Sequence, residues 1–330
     1  ERQQQLAERL NASGKGLCLL GQFAMSHTDA AWLRALTGFI AEATGHALNL
    51  LPHGGTPVGA WQAGAVPHRG PGGQPQNGEH HAGQLFENSR RAFLLWGIEP
   101  EYDCDNPARA MQALAGADTV VAVASFASDS LLQVAEVILP LAPHAEGEGS
   151  FITLDGVTQP FVAAGKAQGE ARPGWKILRK LGGDLGLQGF AQVSLAEVRT
   201  DLQNAMQHAN AALSEPELSE PVKQEGLGRI GEVAIYSVDA LCRRSGPLQE
   251  TEQANSSFVG LNPADAERLG LADGTTVRVS QGEQGAELAV ITSDRVPVGG
   301  AWLRSATCTA RSLGQAIAPL TIEPAAAEVA

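Results

Sequence analysis

The chain has 330 residues, four cysteines and a formal net charge of −13 at neutral pH. This length predicts about two domains, each with room for a sizeable core. The acidic balance argues against a nucleic-acid-binding protein, because such proteins present a basic patch or stripe. The cysteines form no CxxC pair, so neither an iron–sulfur cluster nor a structural zinc site is indicated. No apolar run reaches the roughly 18 residues of a membrane-spanning helix, and the start at Glu1 rather than Met leads us to expect more chain upstream.

The first part of the chain alternates short apolar runs with helical patterns. Ser26 or Thr28 is the candidate N-cap of a helix that runs to Thr44, Asn106 can cap a helix through Leu114, and a short helix is predicted over 128–135. The predicted strands are 16–20, 47–51, 91–96, 119–124 and 137–139. Strands that alternate with helices indicate right-handed crossovers between parallel strands. We therefore predict an α/β fold with a doubly wound, mostly parallel sheet.

Two clusters in this part could hold a cation. The long Gly- and Pro-rich loop 52–83 contains His53, His68, His80 and His81. Their spacing matches no zinc pattern, so a flexible or partner-contacting loop is favoured over a metal site. The acidic run contains Glu99, Glu101, Asp103 and Asp105. We interpret this run as solvated, and we interpret the arginine pairs 90–91 and 243–244 in the same way.

The stretch 135–159 organises this region. The apolar run 137–139 ends at Pro140, which is typical of a strand buried on both faces at the centre of a parallel sheet. Val137→Asp should then unfold the domain, because an unpaired buried carboxylate costs several kcal/mol. Beyond a loop, Asp155-Gly156 predicts a tight hairpin turn. In that loop, His144 and Glu146 could form a base and its orienting partner, although loop hydrogen bonding is favoured without a nearby nucleophile.

The order of residues in this stretch resembles the molybdopterin oxidoreductase superfamily. The matching positions are 135–140, Glu146, Gly149, Ser150, Thr153, Gly156, Val157 and Gln159. Where catalytic members usually show Thr, Asn and Arg, this chain has Ser150, Thr153 and Val157. Loss of the arginine removes a forked cation that a phosphate or pterin site would need. The resemblance therefore implies an eroded pterin site, with Glu146, Gly149, Ser150, Thr153, Gly156 and Gln159 as its candidate residues, and no catalytic residue or metal ligand in this segment.

The second half of the chain contains two more predicted helices and then a region rich in predicted strands and turns. A helix over 172–185 is expected to lay Trp175, Ile177, Leu178 and Leu181 on the sheet, followed by a helix over 195–213 and a linker over 214–228. Asn262 and Pro263 then begin a short helix, and Asp273-Gly274 turns into a strand. This region resembles the molybdopterin-dinucleotide-binding domain, a β-barrel with one short helix. We predict an α/β domain over 1–190, a helix and linker over 191–228, and a β-barrel-like domain over 229–330.

Two further stretches, 235–251 and 313–325, resemble the family of G subunits of bacterial NADH:quinone oxidoreductases, the respiratory complex I. The resemblance implies a position in the peripheral arm on the cytoplasmic side of the inner membrane, in contact with other subunits of that arm. The iron–sulfur clusters would lie upstream, so no cofactor is expected in this segment. Membrane association would come through these partners, without direct insertion.

Three functions remain open from the sequence. The first is a non-catalytic scaffold within the oxidoreductase, which the changes at Ser150, Thr153 and Val157 favour. The second is the distal half of an active molybdopterin enzyme such as a formate dehydrogenase, which the retained Glu146 and Gln159 favour. The third is a free-standing module that binds a small nucleotide.

Overall fold

The computed structural model describes residues 2–76, 81–87, 90–206, 218, 220 and 225–325. The chain divides into two compact units. The first contains Glu1–Gly78, Ser150–Phe161 and Arg199–Lys223, and the second contains Glu79–Gly149, Val162–Val198 and Gln224–Ala330. Within the described residues, no helix combines the length and the apolar character that crossing a membrane requires.

The secondary structure mixes short helices and strands. The helices are α1 (Arg2–Ala12), α2 (Gln22–Ser26), α3 (Ala30–Thr44), α4 (Pro57–Ala63), α5 (Ala82–Leu85), α6 (Pro100–Asp103), α7 (Pro107–Ala115), α8 (Asp129–Val134), α9 (Gly174–Asp184), α10 (Leu195–Met206), α11 (Ala240–Arg243), α12 (Gly246–Gln249) and α13 (Pro263–Arg268). The strands are β1 (Leu17–Leu20), β2 (Ala47–Leu50), β3 (Ala92–Trp96), β4 (Thr119–Ala124), β5 (Val137–Pro140), β6 (Gly149–Ile152), β7 (Thr158–Phe161), β8 (Gly228–Ile230), β9 (Phe258–Leu261), β10 (Thr276–Gln281), β11 (Gln284–Thr292), β12 (Gly300–Trp302) and β13 (Thr321–Pro324).

The first unit contains a parallel pair, β1 and β2, joined through α2 and α3. Helix α3 ends at Gly45, which adopts a φ of +69° and donates its N–H to the last turn, as a left-handed C-cap does. The prediction that Ser26 or Thr28 caps this helix is wrong. A separate short helix, α2, takes up Ser26, and Asp29 stands at the N-cap of α3.

In the second unit, β3, β4 and β5 form a parallel sheet with β4 in the middle. Val120 and Val123 of β4 are fully buried. In the described part of the chain β5 pairs with β4 alone, and Val137 is 45% exposed. The prediction that 137–139 is a central strand buried on both faces is therefore wrong, because a short apolar run ended by proline suits an edge strand equally well.

Helix boundaries in this unit follow local sequence signals. Asn106 accepts the Arg109 N–H at 3.0 Å, so its predicted role as an N-cap is confirmed. Ser128, predicted as the first residue of a helix, instead caps α8 by accepting the Leu131 N–H at 3.2 Å. Helix α9 begins after Pro173, and its Leu178 is exposed rather than packed on the sheet. The predicted helix 195–213 is present as α10 as far as Met206. Its continuation from 207 and most of the predicted linker 214–228 lie outside the described residues.

The end of the chain forms a curled six-stranded sheet in the order β13-β10-β11-β9-β12-β8. Its interior is aliphatic, with Val259, Val277, Val279 and Val290 fully buried. Asn262 caps α13 and Pro263 is its first residue, as predicted. The predicted fold class, a mixed α/β fold with parallel sheets followed by a barrel-like β region, is confirmed. The predicted domain limits remain a prediction.

Candidate functional site

The carboxyl edge of the sheet β3-β4-β5 is the candidate site, because open α/β sheets bind ligands beyond the ends of their parallel strands. Three loops meet there: 97–99 after β3, 125–126 after β4 and 141–144 after β5. Together with residues 239–241 they line a cavity of about 190 Å³. Its walls are mostly apolar, and their polar side chains include Glu99, Ser125, His144 and Asp239.

The segment 235–251, which we call the strap, supplies one wall of this cavity. It consists of short helical turns that are joined by hydrogen bonds within the segment. The Asp239 carboxylate caps α11 by accepting the Cys242 N–H at 2.8 Å. The Gln249 amide donates to the carbonyls of Tyr236 and Cys242, at 2.8 Å each. The strap therefore keeps its shape through local polar contacts, since it is too short for a core of its own.

Four charged side chains attach the strap to the start and end of α6, and we call them the clasp: Glu99, Asp103, Arg243 and Arg244. Arg243 Nη1 lies 2.9 Å from Glu99 Oε2, and its Nη2 lies 2.5 Å from Asp103 Oδ1. Arg244 Nη2 lies 2.5 Å from Glu99 Oε1. The Glu99 carboxylate thus accepts hydrogen bonds from both guanidinium groups. The Arg243 side chain is only 9% exposed. Charged groups this far from water are stable only when they are paired in this way.

Two aromatic rings lie against the guanidinium groups of the clasp. Arg243 lies over the Tyr102 ring at 4.9 Å from its centroid, and Arg244 lies over the Phe126 ring at 4.4 Å. These separations are within the range of cation–π attraction. The rings also exclude water from the guanidinium faces, which strengthens the ion pairs.

The ionisation of the clasp follows from its geometry. Burial alone would raise the pKa of Glu99, but hydrogen bonds from Arg244 and Arg243 more than offset this effect and hold the pKa below its ordinary value of 4.5. Burial alone would lower the pKa of Arg243, but the hydrogen bond to Asp103 and the pairing with Glu99 raise it. Glu99 and Arg243 are therefore charged at neutral pH.

The prediction that the acidic run and the second arginine pair are solvated is wrong for Glu99, Glu101 and the arginines, whereas Asp103 and Asp105 are exposed as predicted. Glu99 and Glu101 are buried, and Arg243 and Arg244 bind the acidic run. Arg91, from the other arginine pair, is 92% exposed and agrees with that interpretation. Each charge run resembles an ordinary solvated face when it is considered alone. The only available signal was the match between two runs of opposite charge that are more than a hundred residues apart.

The six candidate pterin residues are divided between the two units. Glu146 and Gly149 belong to the second unit, whereas Ser150, Thr153, Gly156 and Gln159 belong to the first. Glu146 Oε2 accepts the Gln168 N–H at 3.2 Å, in agreement with the loop hydrogen-bonding interpretation. His144 lines the cavity described above.

The predicted hairpin is confirmed, since β6 and β7 share a two-stranded sheet and Gly156 turns the chain with a φ of +84°. The Thr153 hydroxyl bonds to the Asp155 carboxylate and accepts the Val157 N–H at 3.1 Å. Val157 is exposed and offers no donor in its side chain. The Thr153 hydroxyl is thus hydrogen-bonded within the hairpin. The position at which catalytic members usually have an arginine holds the apolar Val157. The hairpin therefore lacks the forked cation that binds a phosphate through two parallel hydrogen bonds.

One histidine of the long loop 52–83 has a local structural role. The His81 ring accepts the Gln84 N–H at 3.4 Å and caps α5. His80 lies outside the described residues. Over the described ranges, no group of three or more His, Cys, Asp or Glu side chains is placed to hold a metal ion.

Comparison with known proteins identifies relatives of this chain. The G subunit of the NADH-quinone oxidoreductase of Mycobacterium tuberculosis is 26% identical over 273 residues, which cover 73% of this chain and 33% of that protein. The NADPH-Fe(3+) oxidoreductase subunit alpha of Geobacter sulfurreducens is 25% identical over 230 residues, 65% of this chain and 27% of that protein. The mitochondrial NADH-ubiquinone oxidoreductase 78 kDa subunit of Neurospora crassa is 22% identical over 232 residues, 68% of this chain and 27% of that protein. The chain thus corresponds to between 27% and 33% of the length of these relatives.

One solved structure and two family models also match this chain. The acetylene hydratase of Pelobacter acetylenicus shares the fold with a TM-score of 0.56 at 17% sequence identity, covering 77% of this chain and 44% of that one. The model of the molydopterin dinucleotide binding domain matches residues 242–329. The molybdopterin oxidoreductase model matches residues 3–184, which is more than half of the chain. The chain therefore belongs to the molybdopterin oxidoreductase family.

Proposed function

We propose that this chain is a non-catalytic, structural part of the peripheral arm of an NADH:quinone oxidoreductase. It would correspond to the carboxyl-terminal part of a G subunit and would contact other subunits of that arm. It would support electron transfer from NADH to quinone through iron–sulfur clusters held elsewhere in the same large polypeptide. Its place would be peripheral, on the cytoplasmic side of the bacterial inner membrane.

The observation that carries the proposal is the carboxyl edge of the sheet, which the strap partly closes. The strap lies over this edge, and the remaining cavity of about 190 Å³ is smaller than the roughly 300–1,000 Å³ of ordinary ligand pockets. A larger ligand would have to displace the strap, and the clasp opposes this because it would leave buried charges without partners. An edge partly closed by the protein's own chain suits a scaffold better than a cofactor site.

The position of the strap supports the same conclusion. It includes the first residues of the region matched by the dinucleotide-binding-domain model, whereas Glu99 and Asp103 lie in the region matched by the oxidoreductase model. The clasp therefore joins the two family regions directly. The competing function, the distal half of an active enzyme such as a formate dehydrogenase, draws its support from the retained frame residues Glu146, Gly149, Gly156 and Gln159.

The test is metal and pterin analysis of the intact parent subunit, purified within its native complex. We expect iron without stoichiometric molybdenum, tungsten or pterin. An active molybdopterin oxidoreductase carried through the same extraction controls for pterin recovery. Pterin and metal near one per chain would contradict the proposal and would favour the distal half of an active enzyme.

A further inference from the structure

Glu101 is a buried carboxylate that the clasp does not use. It lies in α6, two residues beyond Glu99, and only 4% of its surface is exposed. Its Oε2 atom has almost no contact with solvent and no hydrogen-bond partner among the described residues. A buried carboxylate oxygen without a donor is costly, so native proteins supply a partner from the chain or from an ordered water.

A small cavity lies beside this carboxylate. Its volume is about 20 Å³, and its polar walls come from Glu101, Cys104, Asp105, Arg229 and Ser305. About 10–15 Å³ suffices for one water molecule, provided that it finds two to four polar partners. The cavity is too small for an organic ligand and large enough for one water or one monatomic ion.

The surroundings of Arg229 help to decide between a water molecule and an ion in this cavity. Its guanidinium donates to the carbonyls of Leu303 at 3.2 Å, Gln315 at 3.3 Å and Arg304 at 3.4 Å, and to the Ser305 hydroxyl at 3.3 Å. Burial lowers the pKa of Arg229 to about 10, so the group remains cationic at neutral pH. The same walls also carry the Glu101 and Asp105 carboxylates, so charges of both signs line the cavity, and a water molecule can turn its dipole towards each of them.

We propose that one internal water molecule occupies this cavity and donates a hydrogen bond to Glu101 Oε2. The water would join α6 and the loop after it to the curled sheet around Arg229 and Ser305. It would thus form a second link between the two family regions, beside the ionic clasp. The inference does not depend on the proposed function, because it concerns only the packing of α6 against the curled sheet.

The test is a crystal structure of the intact protein at a resolution that shows ordered waters. We expect a single density peak about 2.5–3.0 Å from the Glu101 carboxylate. Glu101→Gln is the matched variant that keeps the size and one acceptor, so it should retain the peak. Glu101→Met removes the acceptor and should lose the peak.

Two results would overturn the proposal. One is a wild-type map without density in the cavity. The other is an anomalous signal at the peak after soaking in rubidium ions, which would identify a monovalent cation. If Glu101→Met does not fold, the wild-type and Glu101→Gln maps still decide between these outcomes.

Discussion

Glu99 is the residue on which the clasp depends, because it accepts from both Arg243 and Arg244. Glu99→Gln keeps the shape of the side chain but removes its charge, which leaves two guanidinium groups short of an anion in a buried place. We expect the free energy of unfolding to fall by about 3 kcal/mol, at the lower end of the range for broken buried pairs because Asp103 still binds Arg243. Chemical denaturation of the wild type and the variant measures this difference.

The matched control is Asp118→Asn. This change also converts a carboxylate to an amide, and it breaks the pair between Arg91 and Asp118, whose atoms are 2.8 Å apart and largely in solvent. An exposed pair contributes about 0–1 kcal/mol. Equal losses in the two variants would show that burial of the clasp does not matter to stability.

The pKa of Glu99 predicts a dependence of stability on pH. Because the folded pKa lies below the ordinary value of 4.5, the stabilisation is complete above that value. It is lost as the pH falls through the folded pKa. We expect the wild type to lose more free energy of unfolding between about pH 6 and pH 3 than Glu99→Gln, which has no such group to protonate. Parallel pH profiles for the two proteins would contradict this assignment.

At the scale of single elements, β4 rather than β5 is the strand on which the parallel sheet depends. Val123 in β4 is fully buried, whereas Val137 in β5 is 45% exposed. Val123→Asp should therefore destabilise the protein by several kcal/mol, because it buries an unpaired carboxylate. Val137→Asp should have a small effect, since the new carboxylate can reach water. Thermal melts of the two variants check this ranking, and equal melting temperatures would contradict it.

The elements that sequence predicted well are those with local signals. The N-caps at Asn106 and Asn262 and the Asp155-Gly156 turn depend on residues within a few positions of one another. The position of β5 in its sheet depends on which strands lie beside it, and a run of three apolar residues does not contain that information. The prediction that Leu178 packs on the sheet failed for the same reason. The helix pattern identifies an apolar stripe but not the element that covers it.

At the scale of the whole molecule, the strap and the clasp define the candidate site, and sequence reasoning missed both. The candidate pterin residues came from a linear order of residues, so they marked the hairpin and the loop before it. The partly closed edge depends instead on charge pairs that are about 140 positions apart, such as Asp103 with Arg243. Those charges were visible in the sequence, but their pairing required the fold to bring α6 beside α11.

The attachment of the strap gives the last prediction. Arg243→Gln removes the cation that binds both Glu99 and Asp103, so the strap should separate more often from the sheet. We expect faster amide hydrogen exchange over residues 235–251, because local opening governs exchange in such segments. Arg91→Gln is the control, since it makes the same change at an exposed arginine and should leave exchange in the strap unaltered. If the strap exchanges at the wild-type rate in Arg243→Gln, then the local caps of Asp239 and Gln249 hold it without the clasp, and the partly closed edge has another cause.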